Sequence, residues 1–455
     1  MLTGWTRRAA LAGIASLGLI GTSSLPAQRE RARRIRDFHA LAPGPPMGWN
    51  SWDSFGPTID EAQARAIARA MAEQLLPHGY DIFTIDIQWY EPGATSYTYR
   101  NGADLAMDAW GRLLPARNRF PSAAGGHGFR PLADDVHRLG LKFGVHLMRG
   151  VPRLAADRDL PIHGTHFTCG GIADRVNICP WNADMYGVDM AKPGAQAYYD
   201  SVFALLASWD VDFVKVDDIA RPYRRNQPEI EAVRRAIDRS GRPMLLSLSP
   251  GETALEAAAH VSAHANMWRI SDDFWDEWRL LVEQFARLAN WAPFRRPGAW
   301  PDADMLPLGL LALGQRRTRF TPDEQRVMLT LWAIARSPLI MGGDLRALDP
   351  ATLALLTNDA MIAVNQHSRE NRQLYRADPH IAWVARDERS GDAYLALFNI
   401  GERPDDVRAD LAAAGVRGTA IVTDLWTGRA MGRHRSAFST TIPAHGAGLY
   451  RLSPA

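Results

Sequence analysis

Between about residue 40 and residue 345, short apolar runs alternate with longer stretches whose apolar positions recur at helical spacing. The runs that read as strands are Met47–Asn50, Ile82–Asp86, Lys142–Leu147, Asp212–Asp217, Met244–Ser249, Met267–Ser271, Gly298–Asp304 and Pro338–Met341. Helical patterns separate most of them. Ile67, Met71 and Leu75 share one face, and Leu281, Phe285 and Leu288 share another. Helix starts are legible as well: Thr58 with Glu61 reads as a capping box, Thr321-Pro322 with Glu324 as a second, and Asp349-Pro350 repeats the cap-then-proline order. Eight strands alternating with helices predict an α/β fold, a (β/α)8 TIM barrel over residues 40–366. A doubly wound sheet would want a glycine-rich phosphate turn after an early strand, and the sequence has none. Beyond about residue 367 the period falls to two. His380–Ala385, Ala393–Asn399, Thr419–Leu425 and Phe438–Ile442 alternate apolar and polar residues, with turn signals such as Ser390-Gly391 and Thr427-Gly428 between them. That texture predicts a C-terminal antiparallel β-sandwich domain over 367–455.

Composition narrows the class. A chain of 455 residues, 46% hydrophobic and 22% charged, reads as a globular protein of two units. Lys and Arg total 52 against 50 Asp and Glu, so no basic footprint points to nucleic acid as a partner. At the N-terminus Arg7 and Arg8 precede an apolar run from Ala9 to Ile20, and Leu25-Pro26-Ala27 ends on a small residue. Residues 1–27 therefore read as a signal peptide, and Thr6-Arg7-Arg8 resembles a twin-arginine signal. The run is too short to span a bilayer, so a periplasmic or secreted protein is expected, not a membrane one. Cys169 and Cys179, ten residues apart, are expected to pair in that oxidising compartment.

Barrel enzymes carry their chemistry at the C-terminal ends of strands. Here several predicted strands end in polar residues: Asp86; then Lys215, Asp217 and Asp218; then Arg269, Asp272 and Asp273; then Asp302 and Asp304. One such Asp would be read as a helix cap. Several at successive strand ends, with Lys and Arg among them, read as a site. Carboxylates converging on one face suit glycoside hydrolysis, in which one attacks the anomeric carbon and the other protonates the leaving oxygen. Lys215 stands two residues before Asp217 on the same strand face and favours its ionised form. A metal-dependent hydrolase barrel would want a His-x-His pair on the first strand, which is absent. His260 and His264, at helical spacing, read as surface or core residues. No metal and no cofactor are expected.

Longer motifs carry a resemblance. Pro45-Pro-Met-Gly-Trp-Asn-Ser-Trp52, Asp108-Ala-Trp-Gly-Arg-Leu-Leu-Pro with Arg119-Phe-Pro, Lys215-Val-Asp217, Trp268-Arg269 with Asp273, Trp300-Pro-Asp-Ala-Asp-Met-Leu306, Leu331–Leu339, Gly343-Asp-Leu-Arg346 and Val364-Asn-Gln366 together resemble glycoside hydrolase family 27. That family holds the α-galactosidases and α-N-acetylgalactosaminidases. The resemblance implies a barrel plus a C-terminal β domain and a retaining double displacement. It makes Asp217 the nucleophile and Asp273 the acid/base. It makes Trp52, Asp86, His146, Lys215, Ser249, Arg269 and Asp304 sugar-binding, with a carbohydrate as substrate and neither nucleic acid nor a membrane as partner. An exo-acting hydrolase of terminal α-D-galactosides is the leading expectation. Two departures keep a β-L-arabinopyranosidase, an α-N-acetylgalactosaminidase or an isomaltodextranase-like enzyme open. The family has two adjacent Asp after its second strand, where this chain has Asp86-Ile87, and its Tyr after the third strand is replaced by His146. The loop from Arg149 to Pro193 is long, follows a strand, and is expected over the active face. A catalytically silent sugar-binding protein would have lost Asp217 or Asp273, and both are present.

Overall fold

The computed structural model describes residues 37–100 and 102–455, so the expected signal peptide lies outside the described residues. Eight parallel strands form one curled sheet: β1 (Met47–Asn50), β2 (Ile82–Ile85), β3 (Lys142–Met148), β4 (Phe213–Asp217), β5 (Leu245–Leu248), β6 (Met267–Arg269), β7 (Trp300–Asp302) and β8 (Leu339–Met341). Their order is β7-β6-β5-β4-β3-β2-β1-β8. Helices cover the outside, so both faces of each strand are buried. That is why the strands read as continuous apolar runs. The seam between β7 and β8 has no ladder; a single parallel bridge joins Leu306 to Met341, with the Leu306 N–H donating to the Ile340 carbonyl at 2.8 Å.

Several strands stop short of the predicted end. Asp86, Ser249, Ser271 and Asp304 lie beyond the ladder, and of these Asp86, Ser249 and Asp304 line the barrel mouth. The helix faces are buried as predicted, with Ile67, Met71 and Leu75 on one side of the barrel and Leu281, Phe285 and Leu288 on another. One cap differs. Thr58 lies in a short 3₁₀ turn, and its hydroxyl donates to the Phe55 carbonyl at 2.8 Å. The capping box is instead Asp60 with Gln63, which leaves Glu61 free to pair with Arg65. The caps at Thr321 and Asp349 stand where the sequence put them. No described helix is long and apolar enough to cross a membrane.

After β3 the chain makes the long predicted excursion. It folds a small sheet from Val151–Pro152, Ala173–Ile178 and Met185–Val188. The expected disulfide is absent, and both cysteines are buried free thiols. The six residues of Ala173–Ile178 lie between them as a strand, about 20 Å of extended chain. A disulfide needs Cα atoms within about 7 Å. Cys169 instead packs its sulfur against the Trp110 carbonyl, and Cys179 is buried near Asp218.

The last barrel helix, Asp359–His367, runs directly into the C-terminal domain. Its strands are β9 (Ser368–Ala377), β10 (His380–Asp387), β11 (Ala393–Asn399), β12 (Asp405–Asp410), β13 (Thr419–Asp424), β14 (Ala430–Arg435), β15 (Ala437–Ile442) and β16 (Gly446–Pro454). A sheet of order β9-β10-β11-β16-β13-β14 packs on the β12-β15 pair, with Val384, Leu395 and Leu397 meeting Val407, Ala409 and Phe438. The other face of the larger sheet lies on the barrel. Trp383, Phe398 and Leu449 join the barrel core across the helix Pro322–Ala335, which is buried almost from end to end.

Candidate active site

The strand ends surround a cavity of about 420 Å³ at the mouth of the barrel. Trp52, Asp86, Lys215, Asp217, Ser249, Arg269, Asp273 and Asp304 all line it, brought together from six strands. His146 does not. It is fully buried behind Asp217, and its Nε2 lies 2.8 Å from Asp217 Oδ2. His146, expected among the sugar-binding residues, is thus placed outside the cavity lining, in register with Lys215 on the neighbouring strand and against the nucleophile candidate.

Lys215 lies close enough to Asp217 to favour its ionised form, and its ammonium pairs with Asp86 at 2.9 Å. The Asn50 amide donates to the same Asp86 oxygen at 2.7 Å, and the Ile87 N–H donates to the other at 2.9 Å. Burial alone would raise the Asp86 carboxyl; the Lys215 charge, the His146 ring and the Asn50 hydrogen bond outweigh it and hold Asp86 below the usual range. Burial would raise Asp217 too, but the His146 hydrogen bond and Lys215 bring it below its ordinary value. Asp217 Oδ1 is left with no hydrogen-bond partner.

Across the mouth, Arg269 pairs with Asp304 at 2.8 Å and reaches Asp273 at 3.3 Å. Asp304, in a left-handed conformation with φ of 86°, also accepts from the Phe274 N–H at 2.8 Å. Its carboxyl is raised by burial and by Asp273 against the pull of Arg269. Asp302 lies below it, accepts from the Asp304 N–H at 2.9 Å, and is pushed up to about 7 by burial and by the charge of Asp304. Asp273 differs from the rest, with its side chain 59% exposed at the lip of the cavity.

The cavity also contains residues that no sequence motif marks. Asp53 follows Trp52 and lines the wall. Tyr99 stacks on Trp52 at 5.5 Å and meets Trp181 at 5.7 Å, making an aromatic wall that runs outward. Trp181 belongs to the long excursion. Asp184, three residues later, ties that loop down by accepting from Gln88 and from the Tyr90 hydroxyl. At the opposite lip Arg221 pairs with Asp272 at 2.6 Å. Tyr99 and Trp181 lie in irregular loops, where no periodicity could have marked them.

His260 and His264 stay apart from this cavity. They stack on each other at 4.2 Å on a surface helix. Among the described residues, Asp134, His137 and Asp210 are close enough to share a cation. Arg130 already pairs with both aspartates, and His137 pairs with Asp212.

Comparison with known proteins agrees with this arrangement. Residues 181–367 match the family described as alpha galactosidase A, and residues 377–452 match the alpha galactosidase C-terminal beta sandwich domain. The crystal structure of a GH27 β-L-arabinopyranosidase from Geobacillus stearothermophilus is 48% identical, covers 92% of this chain and 98% of its own, and superposes with a TM-score of 0.90. The α-galactosidase of Cyamopsis tetragonoloba is 27% identical over 95% of this chain and 92% of its own. The human α-N-acetylgalactosaminidase is 28% identical over 91% of this chain and 93% of its own.

Proposed function

The chain belongs to glycoside hydrolase family 27, and from that premise we propose that it is a retaining exo-glycosidase whose preferred glycone is a terminal β-L-arabinopyranosyl group, with the α-D-galactosyl group second. The two glycones share their configuration at every hydroxyl-bearing ring carbon, and the galactoside adds a hydroxymethyl group. The observation that carries the choice is Ile87. It is buried in the cavity wall directly after Asp86, where the family pattern has a second carboxylate. An apolar wall at that point offers the hydroxymethyl oxygen no partner. A buried polar group without a partner is penalised, so the smaller sugar is favoured. The 48% identical arabinopyranosidase supports the same reading.

In the proposed mechanism, Asp217 Oδ1 attacks the anomeric carbon as the bond to the aglycone oxygen breaks. The Asp273 proton passes to that oxygen. Water then attacks the glycosyl ester, Asp273 takes up its proton, and Asp217 leaves as the carboxylate. His146 fits this role by holding Oδ2 and keeping the nucleophile ionised, which leaves Oδ1 free. Asp273 stands at the open lip, where an aglycone departs and water enters.

The test uses purified enzyme on 4-nitrophenyl β-L-arabinopyranoside and 4-nitrophenyl α-D-galactopyranoside. The expected result is a higher kcat/KM for the arabinoside, with the first-formed sugar seen by proton NMR as the same anomer as the substrate. A preference for the galactoside would return the enzyme to the α-galactosidases. A first-formed sugar of opposite anomeric configuration would refute the role given to Asp217.

A further inference from the structure

We propose that Asp53 is a glycone-binding residue of this cavity, acting as a neutral carboxylic acid that donates a hydrogen bond to a sugar oxygen. This rests on the cavity being the sugar pocket and assigns the pocket a residue beyond the family motifs.

Six aspartates and three cations line the cavity. Asp86 has Lys215, Asp304 has Arg269, Asp272 has Arg221, and Asp217 has His146. Asp273 touches Arg269 and is otherwise in solvent. Asp53 alone has nothing. It is 3% exposed, and no side-chain or backbone donor among the described residues reaches either oxygen. A buried carboxylate with no donor and no cation in contact is costly to keep ionised, which favours the protonated form. The charged groups that face it are Asp304, Lys215, Asp273 and Asp86. Burial comes first, and the three aspartates add to it against Lys215, so its carboxyl stands well above the ordinary range.

The surroundings fix the backbone that carries this carboxyl. The Asp53 carbonyl accepts from the Ala312 N–H at 2.8 Å and from the Tyr97 hydroxyl at 3.1 Å. Oδ2 is sealed against the backbone of Gly342, where a Cβ would come within 2.0 Å of it. Oδ2 has no hydrogen-bond partner among the described residues, and Asp53 lines the cavity wall. A buried carboxyl in a cavity wall, unpartnered in the protein, is a group that a bound sugar oxygen would satisfy.

The test is isothermal titration of free L-arabinose and of D-galactose into wild type, Asp53→Asn and Asp53→Ala, with kcat and KM measured on the better aryl glycoside. Asparagine keeps the shape and a donor, so affinity within about threefold of wild type is expected. Alanine should weaken binding and raise KM by about tenfold to a hundredfold, with a smaller change in kcat. Wild-type affinity should fall as rising pH removes the proton, and Asp53→Asn should lack that fall. Thermal melts report whether each variant folds. Loss of binding in Asp53→Asn as deep as in Asp53→Ala would overturn the neutral-donor role. Unchanged affinity in both variants would overturn the contact itself. A wild-type protein that binds neither sugar would overturn both this assignment and the reading of the cavity.

Discussion

Replacing Lys215 by Met keeps the length of the side chain and removes its charge. The ammonium is 2.9 Å from Asp86, which is only 1% exposed. Removing one partner of such a buried pair costs about 3–5 kcal/mol, because the other charge is left uncompensated. Two hydrogen bonds to Asp86 survive, from Asn50 and the Ile87 N–H, so the lower end of that range is expected. The pH dependence separates charge from packing. In the wild type the lowered Asp86 and Asp217 carboxyls contribute stability above the unfolded value of about 3.9 and lose it as pH falls through their folded values. Without Lys215, burial dominates and Asp86 rises, so its charge destabilises the variant increasingly as pH climbs above about 4. Lys215 itself titrates above its ordinary range, burial being outweighed by Asp86 and Asp217, and stays charged throughout this window. Urea unfolding should therefore show a deficit near pH 7 that shrinks toward pH 4, with unchanged m-values. The double variant Lys215→Met with Asp86→Asn should recover part of the loss at pH 7. A deficit equal at both pH values would refute the argument and assign the loss to packing of the lysine stem.

Asp302→Asn keeps the acceptor for the Asp304 N–H and removes a carboxyl raised to about 7 by burial. The wild-type cost grows as pH rises from the unfolded value toward 7, so the variant should gain stability over that interval, at most about 4 kcal/mol, read by denaturant melts at pH 4 and pH 8. Ile87→Asp should shift the kcat/KM ratio toward the galactoside by about tenfold or more, with some loss of stability from a new buried carboxyl; an unchanged ratio would remove Ile87 as the discriminator. Cys169 and Cys179, both raised to about 12 by burial with nearby aspartates adding, should react slowly with thiol reagents in the native protein and be recovered as two free thiols by non-reducing peptide mapping. Export remains a proposal from the Arg7-Arg8 and Ala27 pattern, and intact mass of protein from the native periplasm should start near Gln28.

The barrel was legible because parallel strands buried on both faces appear as unbroken apolar runs bounded by polar strand ends. The same polar ends placed most of the site. The sandwich was half legible. β9 and β14 are largely exposed and rich in Arg, and β16 is glycine-rich and buried throughout its first half, so none of them alternates cleanly. Asp53 escaped notice because an Asp after Trp52 reads as the first turn of a helix, which it also is. The partner of Lys215 escaped because spacing along one strand reports the shared face and not the neighbour reached across the mouth. That neighbour, Asp86, follows β2, two strands away in the sheet. That His146 lies behind Asp217 and not in the cavity lining depends on its register opposite Lys215, which shows only after the strands are aligned.

The tryptophans divide the molecule optically. Of the 15 in the chain, Trp49, Trp89, Trp209, Trp268, Trp300, Trp332 and Trp383 are sealed in the core. Trp52, Trp181 and Trp275 line the cavity, Trp52 and Trp181 linked through Tyr99. The emission of the first group is a steady background, out of reach of aqueous quenchers. The second group is the part that a bound sugar would shield. The enzyme thus carries an intrinsic fluorescent gauge of its own occupancy, and acrylamide quenching can follow a saccharide entering the mouth without any label.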